Sequence, residues 1–149
     1  MSEELILENF LPYRLSILSN TVSSTIARIY DKRFSLSIPE WRVIAILGRF
    51  PGLSAVEVAD KTLMDKVAVS RAVTKLIKSG RLDRQFADGD RRRSVLNLSA
   101  EGRRVQDEIA PLAMQFERDL LHGIDDGDIE RLNSIMETLL AKARQLGNS

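Results

Sequence analysis

Apolar residues between Leu11 and Phe34 recur at steps of three and four, at Leu11, Leu15, Leu18, Val22, Ile26 and Ile29. That spacing lines one face of a helix, and Pro12 suits a first turn, so one long amphipathic helix is predicted over 11–34. Ser37 stands three residues before Glu40 and Ser54 three before Glu57. In each pair the side chains satisfy one another's free backbone amides, which marks a helix start. The first opens a helix through Trp41, Val43, Ile44 and Leu47, and the second a short one carrying Ala55, Val58 and Ala59. Asp65 can cap a further helix that runs to Ser79 and stops at Gly80, a residue that readily takes the left-handed conformation ending helices.

After Gly80 the period changes from helical to alternating. Arg81 to Ala87 and Ser94 to Ser99 read as two short strands, with Leu96 and Leu98 alternating and an Asp88-Gly89 pair at the hairpin tip. Ser99 can cap the next helix, whose stripe is Val105, Ile109, Leu112, Phe116 and Leu120, with Pro111 a source of a kink. Gly123 separates it from a last helix that begins near Asp125 to Asp128, whose carboxylates favour the positive end of the helix dipole. Its residues Ile129, Leu132, Met136, Leu139, Ala143 and Leu146 keep a seven-residue repeat. The fold class expected is mainly α with a small β-hairpin, a winged helix-turn-helix core carrying long helices at both ends.

At 149 residues, 44% hydrophobic and 29% charged, the chain is of a size for one globular domain. Its apolar runs fall far short of the ~20 residues that span a bilayer, and the start of the chain does not look like a secretory signal, so a cytoplasmic protein without membrane attachment is expected. The absence of cysteine excludes disulfides, thiolate metal sites and thiol redox sensing. Net charge is only +1, but residues 61–104 hold twelve Lys or Arg against five acids, a segment of +7 that leaves −6 elsewhere. Such a basic segment between acidic ends suits a polyanion partner, because Lys and Arg release counterions from phosphates; a merely solvated surface is the alternative.

A short capped helix, a tight turn and a longer basic helix form a helix-turn-helix, whose second helix enters the major groove. On a helical wheel, Val69, Ala72, Val73, Leu76 and Ile77 share one face, while Val67, Arg71, Thr74 and Lys78 lie opposite, flanked by Ser70 and Lys75. Lys66, Val67, Ala68, Ser70 and Arg71 combine small side chains that allow close approach with an arginine able to bridge two acceptors on guanine. An ordinary amphipathic surface helix is the competing reading. In Asp88-Gly89-Asp90-Arg91-Arg92-Arg93, three consecutive arginines on a turn repel one another without structural benefit, so an external anion is their natural partner, and the narrow minor groove suits an extended arginine; a merely solvated turn is the alternative. Asp90 is suited to steadying the loop by pairing with a nearby arginine.

The stretch from Leu53 to Val105 resembles the winged helix-turn-helix of the MarR family, with Asp90, Arg92, Leu96, Leu98, Ser99 and Gly102 in its pattern. The flanking helices match too, so the resemblance covers roughly 10–146, and the domain is expected over 8–146: helix-turn-helix 54–79, wing 81–99, dimerisation helices 11–34 and 100–146. Arg81 departs from the pattern, which more often has an apolar residue after the helix-ending glycine; a phosphate contact and simple solvation are the two readings. The resemblance implies an obligate dimer on a palindromic operator in double-stranded DNA, often released by a small aromatic or phenolic effector. A homodimer also follows from the residues, since a small central core cannot cover two long terminal stripes; the stripes packing on each other within one chain is the alternative.

No nucleophile with a base, no paired carboxylates in an apolar setting and no metal-ligand cluster are present, so neither enzyme activity nor a cofactor or metal is expected. His122 precedes Gly123 and reads as a helix-end residue rather than a catalyst, and the Asp125, Asp126, Asp128 cluster lacks the spacing of a calcium loop. Tyr13 and Trp41 are candidates to line an effector pocket with Arg14 or Arg42 holding a carboxylate, against a plain core role for Trp41. The function expected is sequence-specific transcriptional regulation, as a ligand-released repressor; a sequence-indifferent architectural binder is the alternative.

Overall fold

The computed structural model describes residues 3–87 and 90–148, the side chains of 87 and 90–93 excepted. In chain order, and after a short 3-10 turn at Leu7–Asn9, it has α1 (Leu11–Phe34), α2 (Ile38–Arg49), α3 (Ala55–Thr62), α4 (Lys66–Lys78), β1 (Leu82–Ala87), β2 (Asp90–Leu98), α5 (Ala100–Leu121) and α6 (Asp126–Gly147). The chain divides into two compact units, one through Leu112 and one from Ala113, where length alone suggests a single domain.

In the first unit the helix starts are fixed by the side chains that the sequence marks. The Glu40 amide donates to Ser37 Oγ at 3.3 Å and the Ser37 amide to Glu40 Oε1 at 3.4 Å. The same reciprocal pair joins Glu57 and Ser54 at 3.2 and 3.1 Å. Each box satisfies two of the amides that a first helical turn leaves without partners. Gly80, at φ +76°, turns the chain out of α4 where a side chain would be strained.

The helices close on a core of Tyr30, Phe34, Leu36, Val43, Ile44, Leu47, Val58, Val69, Val73, Leu76, Leu82, Leu96, Val105 and Ile109, with Leu53, Ala59 and Ala72. Strands β1 and β2 pair antiparallel from Leu82 opposite Leu98 to Phe86 opposite Ser94; the register then shifts, and Ala87 pairs with Asp90. This corrects the sequence reading in one respect. Pairing reaches Asp90, so the backbone of Arg91, Arg92 and Arg93 belongs to a strand rather than to a turn. Backbone pairing demands no particular side chain, which composition hid. The Asp88-Gly89 tip lies outside the described residues, as do the side chains of Asp90 and the three arginines.

Leu53, before α3, also joins the sheet. It bridges Leu96, with Leu96 N–H donating to Leu53 O at 2.8 Å and Gly52 N–H to Leu96 O at 3.1 Å. The hairpin is thereby tied to the segment before α3. Ser99 caps α5 as expected, accepting from the Gly102 amide at 3.0 Å, and α5 continues past Pro111 without ending.

The second unit comprises the end of α5 and α6. Among its described residues none is buried, and Leu132, Ile135, Met136 and Leu140 are all open to solvent. No helix among the described residues is long and apolar enough to cross a membrane.

Candidate nucleic-acid interface

Helix α3 ends at Leu63, which takes the left-handed conformation (φ 56°), and two residues later Asp65 caps α4 by accepting from the Ala68 amide at 3.2 Å. The turn is therefore Leu63-Met64-Asp65, and Met64 packs against the core. It directs α4 so that Val69, Ala72, Val73 and Leu76 are buried. The opposite face stays open: Lys66, Val67, Ser70, Arg71, Thr74, Lys75 and Lys78 are exposed, and Ala68 is half-buried. Thr74 donates its hydroxyl to Ser70 O at 2.9 Å, which leaves its oxygen free to accept.

The basic segment sorts into committed and uncommitted charges. Lys61 lies over the Phe50 ring, 4.4 Å from its centroid. Arg104 pairs with Glu101 at 2.6 Å and Glu108 at 2.7 Å. Arg81 donates to the carbonyl of Phe34 at 2.5 Å. Among the described residues no ion pair engages Lys66, Arg71, Lys75 or Lys78. Four uncommitted cations thus share one helix with small and hydroxyl side chains between them. An arginine so placed, and its backbone not crowded by bulky neighbours, can reach base edges or phosphates.

A family model described as the MarR family matches residues 34–93, from the end of α1 into β2. Over those residues the chain resembles the MarR family. It is similar to the HTH-type transcriptional regulator BilQ of Clostridium symbiosum (strain WAL-14163), 23% identical over 96 residues that cover 64% of this chain and 67% of that protein. Its fold is that of a MarR/EmrR family transcriptional regulator from Acinetobacter sp. ADP1, with a TM-score of 0.86 at 23% identity over 95% of this chain and 99% of that one. The PcaV regulator of Streptomyces coelicolor, solved in complex with its natural ligand, is also similar, with a TM-score of 0.78 at 19% identity over 95% of this chain and 99% of that one.

Within this fold, the residues suggested for an effector do not share one wall. Tyr13 and Arg14 line a hollow of about 440 Å³ on the first turns of α1. Trp41 stacks on Tyr30, their ring centroids 5.1 Å apart. Tyr13 and Tyr30 are seventeen residues apart on α1, about 26 Å at 1.5 Å per residue, too far for one pocket within one chain. Trp41 packs against the core, in keeping with its alternative reading, and Arg42 is exposed. The Tyr30 hydroxyl and Trp41 Nε1 are both buried without a hydrogen-bond partner among the described residues, and burial pushes the Tyr30 phenol up to about 12.

Arg81, the departure from the MarR pattern, has a partner within the chain and is not simply solvated. Its guanidinium closes the end of α1 by binding the Phe34 carbonyl, one of the acceptors a helix end leaves unpaired. Its own carbonyl accepts from Ser99 N–H at 3.1 Å, and a Cβ at Gly102 would stand 2.0 Å from that oxygen. Gly102 is therefore required by the close pass of Arg81. A partner 47 residues away leaves no mark in local sequence.

Proposed function

We propose that the chain is a MarR-family transcriptional regulator that binds double-stranded DNA sequence-specifically as a homodimer on a palindromic operator, with α4 in the major groove and the β1–β2 wing at the adjacent minor groove. The observation that carries the reading is the exposed face of α4, where Lys66, Arg71, Lys75 and Lys78 are without ion-pair partners among the described residues. Arg71 reads bases, with Val67, Ala68, Ser70 and Thr74 allowing the approach, while Lys66, Lys75 and Lys78 bind phosphates. Arg91, Arg92 and Arg93 supply minor-groove and backbone contacts.

The second copy covers the exposed apolar residues of α1 and α6, since Leu15 and Leu18 are 47% and 59% exposed and Leu132 and Met136 43% and 49%. The regulator represses by occupying a promoter and is released by a small molecule. Two supports exist for the effector: the hollow at Tyr13 and Arg14, and the natural ligand that accompanies PcaV. The chemistry is binding rather than catalysis.

Selection of duplexes from a random pool, followed by footprinting, tests this. The expected result is an inverted repeat whose half-sites lie about 10 base pairs, one helical turn, apart. Uniform protection of any duplex would instead make the protein an architectural binder.

A further inference from the structure

The first turn of α4 and the turn before it carry two aliphatic side chains that the fold leaves in water. Leu63 is 67% exposed and Val67 55% exposed. Local structure explains neither. Val67 is β-branched, which a solvent-facing helix position disfavours against Ala. Leu63 holds a φ of 56°, a left-handed conformation that suits Gly or Asn and costs a leucine. Among the described residues other than glycine only Ser35 shares a positive φ. Side chains that neither pack nor suit their backbone find their reason outside the chain.

The surroundings say what kind of contact it is. Val67 stands four residues before Arg71, so the two are neighbours on the exposed face of α4, about 5–6 Å apart at Cβ. Lys66, Lys75 and Lys78 share that helix without ion-pair partners among the described residues. A second copy of the chain does not suit this face, because a two-fold contact would set the cations against their own duplicates. The surface that fits is polyanionic, with small apolar groups set among its charges. The major groove of DNA is such a surface, since every thymine exposes its C5-methyl there. From this we infer that Val67 and Leu63 pack against thymine methyl groups, so that each half-site of the operator holds thymine close to the guanine that Arg71 grips. Val67 is then a specificity residue and more than a small spacer. Cytosine and uracil offer no methyl at C5, and the contact rejects both. This deepens the DNA-binding reading above and rests on it.

The test uses the operator obtained by selection, with thymines replaced by deoxyuridine one position at a time in both half-sites. That change deletes the methyl group and keeps the base pair. At two positions it should weaken wild-type binding by about fourfold per half-site, about fifteenfold for the pair, the worth of a buried methyl. Val67→Ala should bind the thymine operator more weakly and lose the response to one replacement, and Leu63→Gly should lose the response to the other. The thermal midpoint of both variants should stay unchanged or rise, since neither side chain supports the fold. Half-sites selected without thymine, or uracil bound like thymine throughout, overturn the proposal. So does a uracil response that both variants keep at full size, because the methyl groups would then act through the stiffness of the duplex. A response kept by one variant, or a lowered midpoint, overturns the part given to that residue. Operator binding untouched by both variants assigns the patch to an acidic protein partner and overturns the proposal too. In all these cases the wild type still prefers the operator to a scrambled duplex, and the DNA-binding reading stands. A wild type that binds no duplex defeats that reading and the proposal with it.

Discussion

Residues 36–109 and residues 113–148 use the same building material to different ends. The first stretch, with the end of α1, forms a closed core in which Leu36, Val43, Ile44, Leu47, Leu76 and Leu96 are fully buried, and its helix starts are capped by Ser37, Ser54 and Asp65. The second holds a seven-residue apolar repeat with no described residue buried. The first eleven residues of α1 are exposed in the same way. Burying a Leu or Ile side chain is worth about 1.5–3 kcal/mol, so a helix that leaves its whole stripe in water is stable only against another surface. The core of the first stretch is complete in one chain; on the proposed reading the terminal helices are completed by a second copy.

Breaking the terminal stripes should give the largest change. In a two-fold interface each substitution counts twice. Leu132→Glu, at about 2 kcal/mol per site, would weaken the dimer by about 4 kcal/mol, roughly a thousandfold. Sedimentation at micromolar concentration should then show a monomer whose reading head remains folded. A wild-type chain that sediments as a 16.8 kDa monomer would erase the contrast.

Leu96→Ala tests the other side, because it removes a fully buried side chain and should cost about 2–5 kcal/mol in denaturant unfolding. Gly102→Ala follows, at about 1–3 kcal/mol, since its Cβ would collide with the Arg81 carbonyl. Ser54→Ala should cost about 1 kcal/mol, the usual loss of a helix cap.

The smallest effect is electrostatic. The hydrogen bond from Arg104, helped by its charge and that of Arg81, holds the Glu101 carboxyl below its ordinary value against slight desolvation. Its stabilisation is therefore present above the ordinary carboxylate range and fades as pH falls through the lowered value. Carboxyl titration by NMR should show the lowered midpoint, and Arg104→Ala should restore it.

Local signals and distant ones were not equally legible in the sequence. Ser37 with Glu40, Ser54 with Glu57, and Asp65 each act within three residues, so they announce α2, α3 and α4 correctly. The apolar face of α4 was legible because its period is helical. The Leu53–Leu96 bridge, the Arg81–Phe34 bond and the clash that fixes Gly102 all join residues distant in sequence. None has a period or a spacing to betray it. Tyr13 and Trp41 were paired by chemistry alone, and the length of α1 separates them. The start of β2 was missed because Asp, Gly and Arg are typical of turns and depleted or neutral in strands.

The central claim is that the exposed face of α4 reads DNA, and titrating wild type and Arg71→Ala against the selected operator and a scrambled duplex tests it most directly. Arg71→Ala should lose about 1–3 kcal/mol on the operator and much less on the scrambled duplex, so that specificity relaxes. Arg92→Ala, in the same titration repeated over salt, should lower affinity with specificity kept and a shallower salt slope. If both variants bind both duplexes as the wild type does, α4 and the wing are not the DNA surface.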